Sequence, residues 1–246
     1  MSPVFDCSDE AGRAEGIAKA VAAVRAGRLV VLPTDTLYGI GADAFDHDAV
    51  RALLDAKGRG REMPPPVLVA DLRTAEALVT ELPPYAAALA EKYWPGPLTL
   101  VGRAQPQLVW DLGETNGTVA LRVPDHELAL ELLRETGPMA VSSANRTGYP
   151  AARNLLDAAT QLGAAVEVYL DGGPVRTGLP STIVDCTGER PVVLRQGALA
   201  TDEIHAVTDP VLAAADVQDN AEENADTGPT EPTPTDGPTE ETHGDE

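Results

Sequence analysis

Six short segments carry side chains able to do chemistry. PTDTLYG, residues 33–39, places Thr34, Asp35, Thr36 and Tyr38 directly after the aliphatic run RLVVL. Polar groups just beyond a strand sit where open α/β sheets bind ligands. The competing reading is a capping turn whose threonine hydroxyls satisfy loop backbone. KGRGR alternates Lys57, Arg59 and Arg61 with glycines, which leaves long cations and open backbone amides to meet a phosphate chain; an exposed basic loop without a ligand has the same composition. SSAN, residues 142–145, follows a strand with hydroxyls and the Asn145 amide, suited to a ligand oxygen or a base, or to a plain turn. Arg122 interrupts the aliphatic VALRV, and an arginine among core residues has to be paired or reach a ligand. Ser181 and Thr182 in PSTIVD, and Arg195 in VVLRQG, are weaker signals, each compatible with an edge-strand surface.

Other chemistries are excluded. The three lysines, Lys19, Lys57 and Lys92, none of them flanked by Gly and Ser or Thr, leave no Walker-type phosphate loop. GIGADA, residues 39–44, matches a dinucleotide fingerprint only superficially, because PTDTLY separates it from the preceding strand. Ser142 and Ser143 lack a G-x-S-x-G elbow. His47 and His126 read as surface residues at helix starts, not as metal ligands, and no protein metal site is expected.

The elements that must position these groups alternate along the chain. Ser8 or Asp9 caps a helix running to Ala26, and Gly27 stops it before a strand at 28–32. Val50, Leu53 and Leu54 mark a helix over 48–56, after which the prolines of 57–66 forbid one. Strands are predicted at 67–70, 98–102, 119–123, 139–141, 166–170, 182–186 and 192–195, and helices at 74–81, 85–92, 126–135 and 154–162. This alternation indicates one α/β domain with a mostly covered sheet.

The chain has 246 residues and a formal net charge of -21, which argues against a protein coating nucleic acid through its overall field. The charge is uneven: from Thr201 onward there are 14 acidic residues and no Lys or Arg. Beyond Val217 no Val, Ile, Leu, Met or aromatic residue occurs, and such a segment cannot bury enough apolar surface to offset its ordering entropy. The expected division is a folded domain over 1–208 and a disordered acidic tail over 209–246. Cys7 and Cys186 are expected as reduced thiols. With no signal-peptide core and no apolar run approaching the roughly 18 residues of a membrane helix, the expectation is a soluble, cytoplasmic protein without membrane contact.

Taken together, LPTDTLYGIGADA, AKGR, YWPGPLTLV, VALRVPDH, VSSANRTG, LPSTIVD and VLRQGA resemble, in this order, the YrdC-like family of threonylcarbamoyl-AMP synthases, from about Gly16 to Ala198. The resemblance implies an α/β fold with a twisted mixed sheet, helices packed on it and a concave, positively charged cleft. It implies a nucleotidyltransferase that joins L-threonine, bicarbonate and ATP into L-threonylcarbamoyladenylate and pyrophosphate, for modification of the adenosine beside the anticodon of tRNAs. tRNA and a downstream threonylcarbamoyl-transferring machinery are then its expected partners, and Mg²⁺, bound mainly by ATP phosphates, its cofactor. The family's functional tetrad falls on Lys57, Arg59, Ser143 and Asn145. Its threonine contacts fall on Thr34, Arg122 and Ser181, and its ATP contacts on Lys57, Arg59, Thr118, Ser143, Asn145 and Arg195. One departure is visible: Met63, Pro64, Pro65 and Pro66 occupy a loop that in the family leads to a histidine near threonine, and Leu68 stands in that position. The family's longer members carry a further C-terminal domain, where this chain has its acidic tail. A related carbamoyl-transferring module, found in much longer chains, and a non-catalytic RNA-binding module using the same basic cleft are the alternatives.

Overall fold

The computed structural model describes residues 2–226. Strand β1 (Val4–Asp6) leads into α1 (Glu10–Arg25), whose Asp9 cap accepts from the Gly12 amide. Strand β2 (Val30–Leu32), fully buried, turns through residues 33–38 into β3 (Gly39–Asp43). Asp46 caps α2 (His47–Lys57), which stops at Gly58 in the left-handed region, φ 60°. Gly58 permits that reversal at no steric cost. The chain continues through β4 (Val67–Leu68), α3 (Leu72–Leu78), α4 (Pro84–Tyr93), β5 (Leu98–Arg103), β6 (Thr118–Arg122), α5 (Glu127–Thr136), β7 (Met139–Ser143), α6 (Leu155–Leu162), β8 (Val168–Asp171), β9 (Thr182–Asp185), β10 (Val192–Arg195) and α7 (Thr201–Asp226).

Among the described residues the strands form one ten-stranded sheet in the order β1-β8-β2-β3-β7-β4-β6-β5-β9-β10. Pairing is mixed: β1 with β8, β2 with β8, β4 with β6 and β5 with β9 run parallel, and the remaining neighbours antiparallel. Alternate side chains of β2 divide between two cores. Val30 and Leu32 pack with α1 and α5, while Val31 packs with Leu53 of α2 and Leu155 of α6. This is the period-two outcome of a sheet covered on both faces. The expected α/β fold with a mixed sheet is therefore the observed one.

Three elements depart from the sequence expectation. β3 was not predicted, because glycine is poorly represented in strands. Its glycines are needed there: a Cβ on Gly39 would lie 2.6 Å from Val141 Cγ1, and one on Gly41 2.8 Å from Met139 Cε. β1, only three residues long, carries too little pattern to recognise. The third departure is the C-terminal boundary. Residues 209–226, expected to be disordered, continue α7 despite Pro210 within it. Ile204 is buried, and Val207, Val211 and Leu212 pack against the Tyr85, Leu89 and Leu100 cluster, so apolar spacing extends the domain past 209. The compact unit ends at Leu212; the described part of the second unit, from Ala213 to Asp226, is helical. The rest of the expected tail, 227–246, lies outside the described residues.

Cys7 and Cys186 are both free thiols. Among the described residues no helix is long and apolar enough to cross a membrane.

Candidate active site

Arg122 is the last residue of β6 and only 6% exposed. Its Nε donates to Gly96 O at 2.9 Å, Nη1 to Thr36 Oγ1 at 2.9 Å and Nη2 to Asp35 Oδ1 at 2.5 Å. Three of its five N–H groups are thus engaged and two remain for a ligand. Burial lowers the guanidinium pKa, and the Asp35 carboxylate opposes that shift.

Thr34 resolves the two readings of PTDTLYG in favour of the turn, as far as its hydroxyl is concerned. Thr34 Oγ1 donates to Leu37 O at 2.6 Å and accepts from the Thr36 and Leu37 amides, each at 3.2 Å. Thr34 Oγ1 also lies 3.0 Å from Thr36 Oγ1. Thr34 still faces the cavity, but with a saturated hydroxyl.

Lys57 ends α2 and is 3% exposed. Its ammonium donates to the backbone carbonyls of Ser143 and of Asn145, the latter at 2.7 Å. Burial first, and Arg59 second, push its pKa down to about 8. Asn145 Nδ2 donates to Arg146 O at 3.0 Å and Tyr149 O at 2.8 Å, leaving Oδ1 buried with no partner. Arg59 Nη1 donates to Ser142 Oγ at 3.0 Å while its Nε has none. Arg61, by contrast, forks onto Asp111 at 2.9 and 2.7 Å on the surface. The alternation of KGRGR thus sends one cation to the cavity and one away. On the far wall, Arg195 Nη2 donates to Ser181 O at 2.8 Å, and Ser181 Oγ meets Thr99 Oγ1 at 2.8 Å.

These loops enclose a cavity of about 230 Å³. Of the nine residues to which the family resemblance assigns a role, Thr34, Arg59, Arg122, Ser143, Ser181 and Arg195 line it. Lys57 and Asn145 stand behind the lining, joined to Ser143 through backbone. Thr118 shares a face of β6 with Ala120 and Arg122, which do line the cavity, but its hydroxyl donates to Thr115 O at 2.8 Å. Leu68 lines it together with Pro64 and Pro66, so the position of the family histidine is an apolar wall. Thr36 and Tyr38 of PTDTLYG also line it, as the strand-end reading allowed, whereas sequence reasoning missed Thr99 as a cavity residue and Asp35 as the partner of Arg122. The available signal for Thr99 was a polar residue in an otherwise aliphatic strand. His47 is exposed at the start of α2, as expected, whereas His126 is half-buried beside Gly172.

Arg59, Arg122 and Arg195 line the cavity and no carboxylate does. Burial lowers the pKa of all three guanidiniums, yet arginine stays charged in proteins. Fold and site together define an α/β protein with a cationic cavity, lined by three arginines and no carboxylate, beside its sheet. More specifically, the chain belongs to the Sua5/YciO/YrdC family, whose model, described as telomere recombination, matches residues 22–197. A Mycobacterium tuberculosis protein provisionally named threonylcarbamoyl-AMP synthase is 55% identical over 207 residues, covering 84% of this chain and 95% of that protein. The threonylcarbamoyl-AMP synthase of Bacillus subtilis is 39% identical over 209 residues, 84% of this chain and 60% of that one. Among solved structures, Pyrococcus abyssi Sua5 complexed with L-threonine superimposes with a TM-score of 0.79 at 37% identity, over 84% of this chain and 61% of that one.

Proposed function

We propose that this chain is an L-threonylcarbamoyladenylate synthase, a nucleotidyltransferase acting on L-threonine, bicarbonate and ATP. The observation that carries the proposal is the convergence of Arg59, Arg122 and Arg195 on one small cavity beside the loop tied down by Lys57. Relatives named for this activity at 55% and 39% identity support it.

The chemistry needs two mutually repelling anions held together. Threonine's amine and bicarbonate first give a carbamate and water. One carbamate oxygen then attacks the α-phosphorus of ATP, forming the acyl–phosphate bond as the bond to pyrophosphate breaks. Positioning and charge stabilisation account for such a transfer without a covalent enzyme intermediate. Arg122 holds the threonine carboxylate with its two unused N–H groups, and Ser181 lines the same cavity. Arg59 and Arg195 neutralise the phosphates. Lys57 fixes the backbone of Ser143 and Asn145, and Ser143 presents its side chain to the nucleotide in the cavity. Thr118, further along the same face of β6, extends the binding surface beyond the cavity toward the nucleotide.

Mg²⁺ belongs to this scheme as part of the nucleotide substrate. The lining offers hydroxyls and guanidiniums but no carboxylate, so it does not fit a resident Mg²⁺, whose usual protein ligands are carboxylates. The adenylate passes to a threonylcarbamoyl-transferring machinery acting on tRNA, in the cytoplasm.

Pyrophosphate release measured with each substrate omitted in turn tests the assignment. It requires threonine, bicarbonate and ATP together; RNA binding without pyrophosphate release would make the chain a binding module instead.

A further inference from the structure

The three cavity arginines are not equivalent. Arg122 alone is backed by a buried carboxylate, with both side chains of the Arg122–Asp35 pair 8% exposed. Asp35 Oδ1 also accepts from the Asp125 amide at 3.1 Å, and its backbone carbonyl accepts from Thr177 Oγ1 at 3.4 Å. Asp35 is therefore anchored on the loop after β6 and on the segment leading to Ser181, and is not free to swing toward a ligand. Asp35 itself does not line the cavity.

Two consequences follow from elementary electrostatics. The carboxylate cancels the charge of Arg122, so the net positive potential lies at the Arg59 and Arg195 side. It also occupies one edge of the guanidinium, while Thr36 occupies another, leaving a restricted set of N–H directions. A neutralised, oriented fork suits a small carboxylate, and an unneutralised arginine would attract phosphate groups just as well.

Resting on the synthase reading, and deepening it, we infer that Asp35 is a positioning and specificity residue: it aims Arg122 and cancels its charge, so that this end of the cavity takes the amino-acid carboxylate and rejects phosphate. Thr36 is the second support of the same guanidinium.

The test compares wild type, Asp35→Asn and Thr36→Val for threonine binding by calorimetry, for half-saturating threonine and ATP in pyrophosphate release, for inhibition by inorganic phosphate, and for melting. Asp35→Asn raises the threonine Kd about tenfold, the scale of one charge-assisted hydrogen bond, and leaves half-saturating ATP within about twofold. It also makes inorganic phosphate compete with threonine, a gain that a merely structural role would not produce. Thr36→Val, which retains the Asp35 charge, weakens threonine about threefold without the phosphate competition, and the double variant loses less than the two losses combined because both act through one guanidinium. Equal losses for threonine and ATP, no phosphate competition, or additive losses overturn the inference. If Asp35→Asn does not fold, the threonine-selective loss in Thr36→Val decides it. A wild type that binds threonine but releases no pyrophosphate overturns the synthase reading, and the calorimetry then still judges Asp35.

Discussion

The Lys57 ammonium donates to the backbone carbonyl of Asn145 across 2.7 Å, joining residues 88 positions apart. Two members of the sequence tetrad therefore meet through the main chain of one by the side chain of the other. Lys57 thus shapes the site as well as charging it.

Lys57→Ala and Arg59→Ala should separate on this basis. Both abolish pyrophosphate release. Arg59→Ala leaves melting nearly unchanged because its side chain is half-buried and bonded only to the Ser142 hydroxyl and, at 3.5 Å, to the Pro64 carbonyl. Lys57→Ala removes the donor of two backbone carbonyls, and an unsatisfied buried group costs about 1–3 kcal/mol. Parallel melting and turnover measurements check this. Equal melting temperatures for the two variants would contradict the clamp.

Lys57 also sets a pH dependence. Burial holds it near 8 instead of 10.5. Between those values the unfolded chain binds more protons than the folded one, so this group makes stability rise with pH across that window. The contribution is up to about 3 kcal/mol, fully adverse below pH 8 and gone above 10.5. Pyrophosphate release falls as the folded protein loses this ammonium, with a midpoint near 8. A pH–rate profile of the wild type and denaturant titrations of wild type and Lys57→Met test both, the variant lacking the stability rise.

Arg122→Leu weakens threonine by about one to two decades, the strength of a guanidinium–carboxylate contact, and ATP much less. It also strands the Asp35 carboxylate, and breaking a buried pair costs about 3–5 kcal/mol. The double variant Arg122→Leu with Asp35→Asn should recover most of the melting temperature while threonine binding stays lost. Recovery of neither quantity would mean that the pair is not the source of the instability.

Gly41→Ala tests the packing of β3. The new methyl meets Met139 Cε at 2.8 Å and Val141 Cγ2 at 3.3 Å, an overpacking worth about 1–3 kcal/mol. A melting temperature at or above wild type would show that the neighbouring side chains give way freely.

Truncation locates the end of the domain. Ending the chain at 209 removes Val211 and Leu212 from the core cluster and lowers stability by about 1–3 kcal/mol, given their partial burial. Ending it after Leu212, where the compact unit closes, leaves activity and melting close to wild type. Identical melting for both truncations would return the boundary to 209.

Local periodicity and turn chemistry in the sequence determined most of the elements: α1 ends at Arg25, two residues before Gly27, the aliphatic runs form β2, β6 and β8, and Pro64 to Pro66 keep that stretch out of any helix. The order of the polar segments also marked the residues of the site, because each lies at or next to the end of a strand or helix. What the chain could not reveal locally were relations between distant segments. β3 is a strand because Val141 and Met139 fill the space its glycines leave. Arg59 faces the cavity while Arg61 finds Asp111, 50 residues away, although the two arginines look alike in KGRGR. The need of Arg122 for a partner was legible from its aliphatic surroundings, but the choice of Asp35 depends on a loop 87 residues distant. Residues 209–212 likewise read as tail by composition, and only contact with the α4 and β5 cluster makes them part of the domain. Side-chain pattern within a segment fixes what that segment can become; which charges are neutralised, which hydroxyls are spent and which cations remain for a ligand is settled only when segments far apart in the chain are brought into contact.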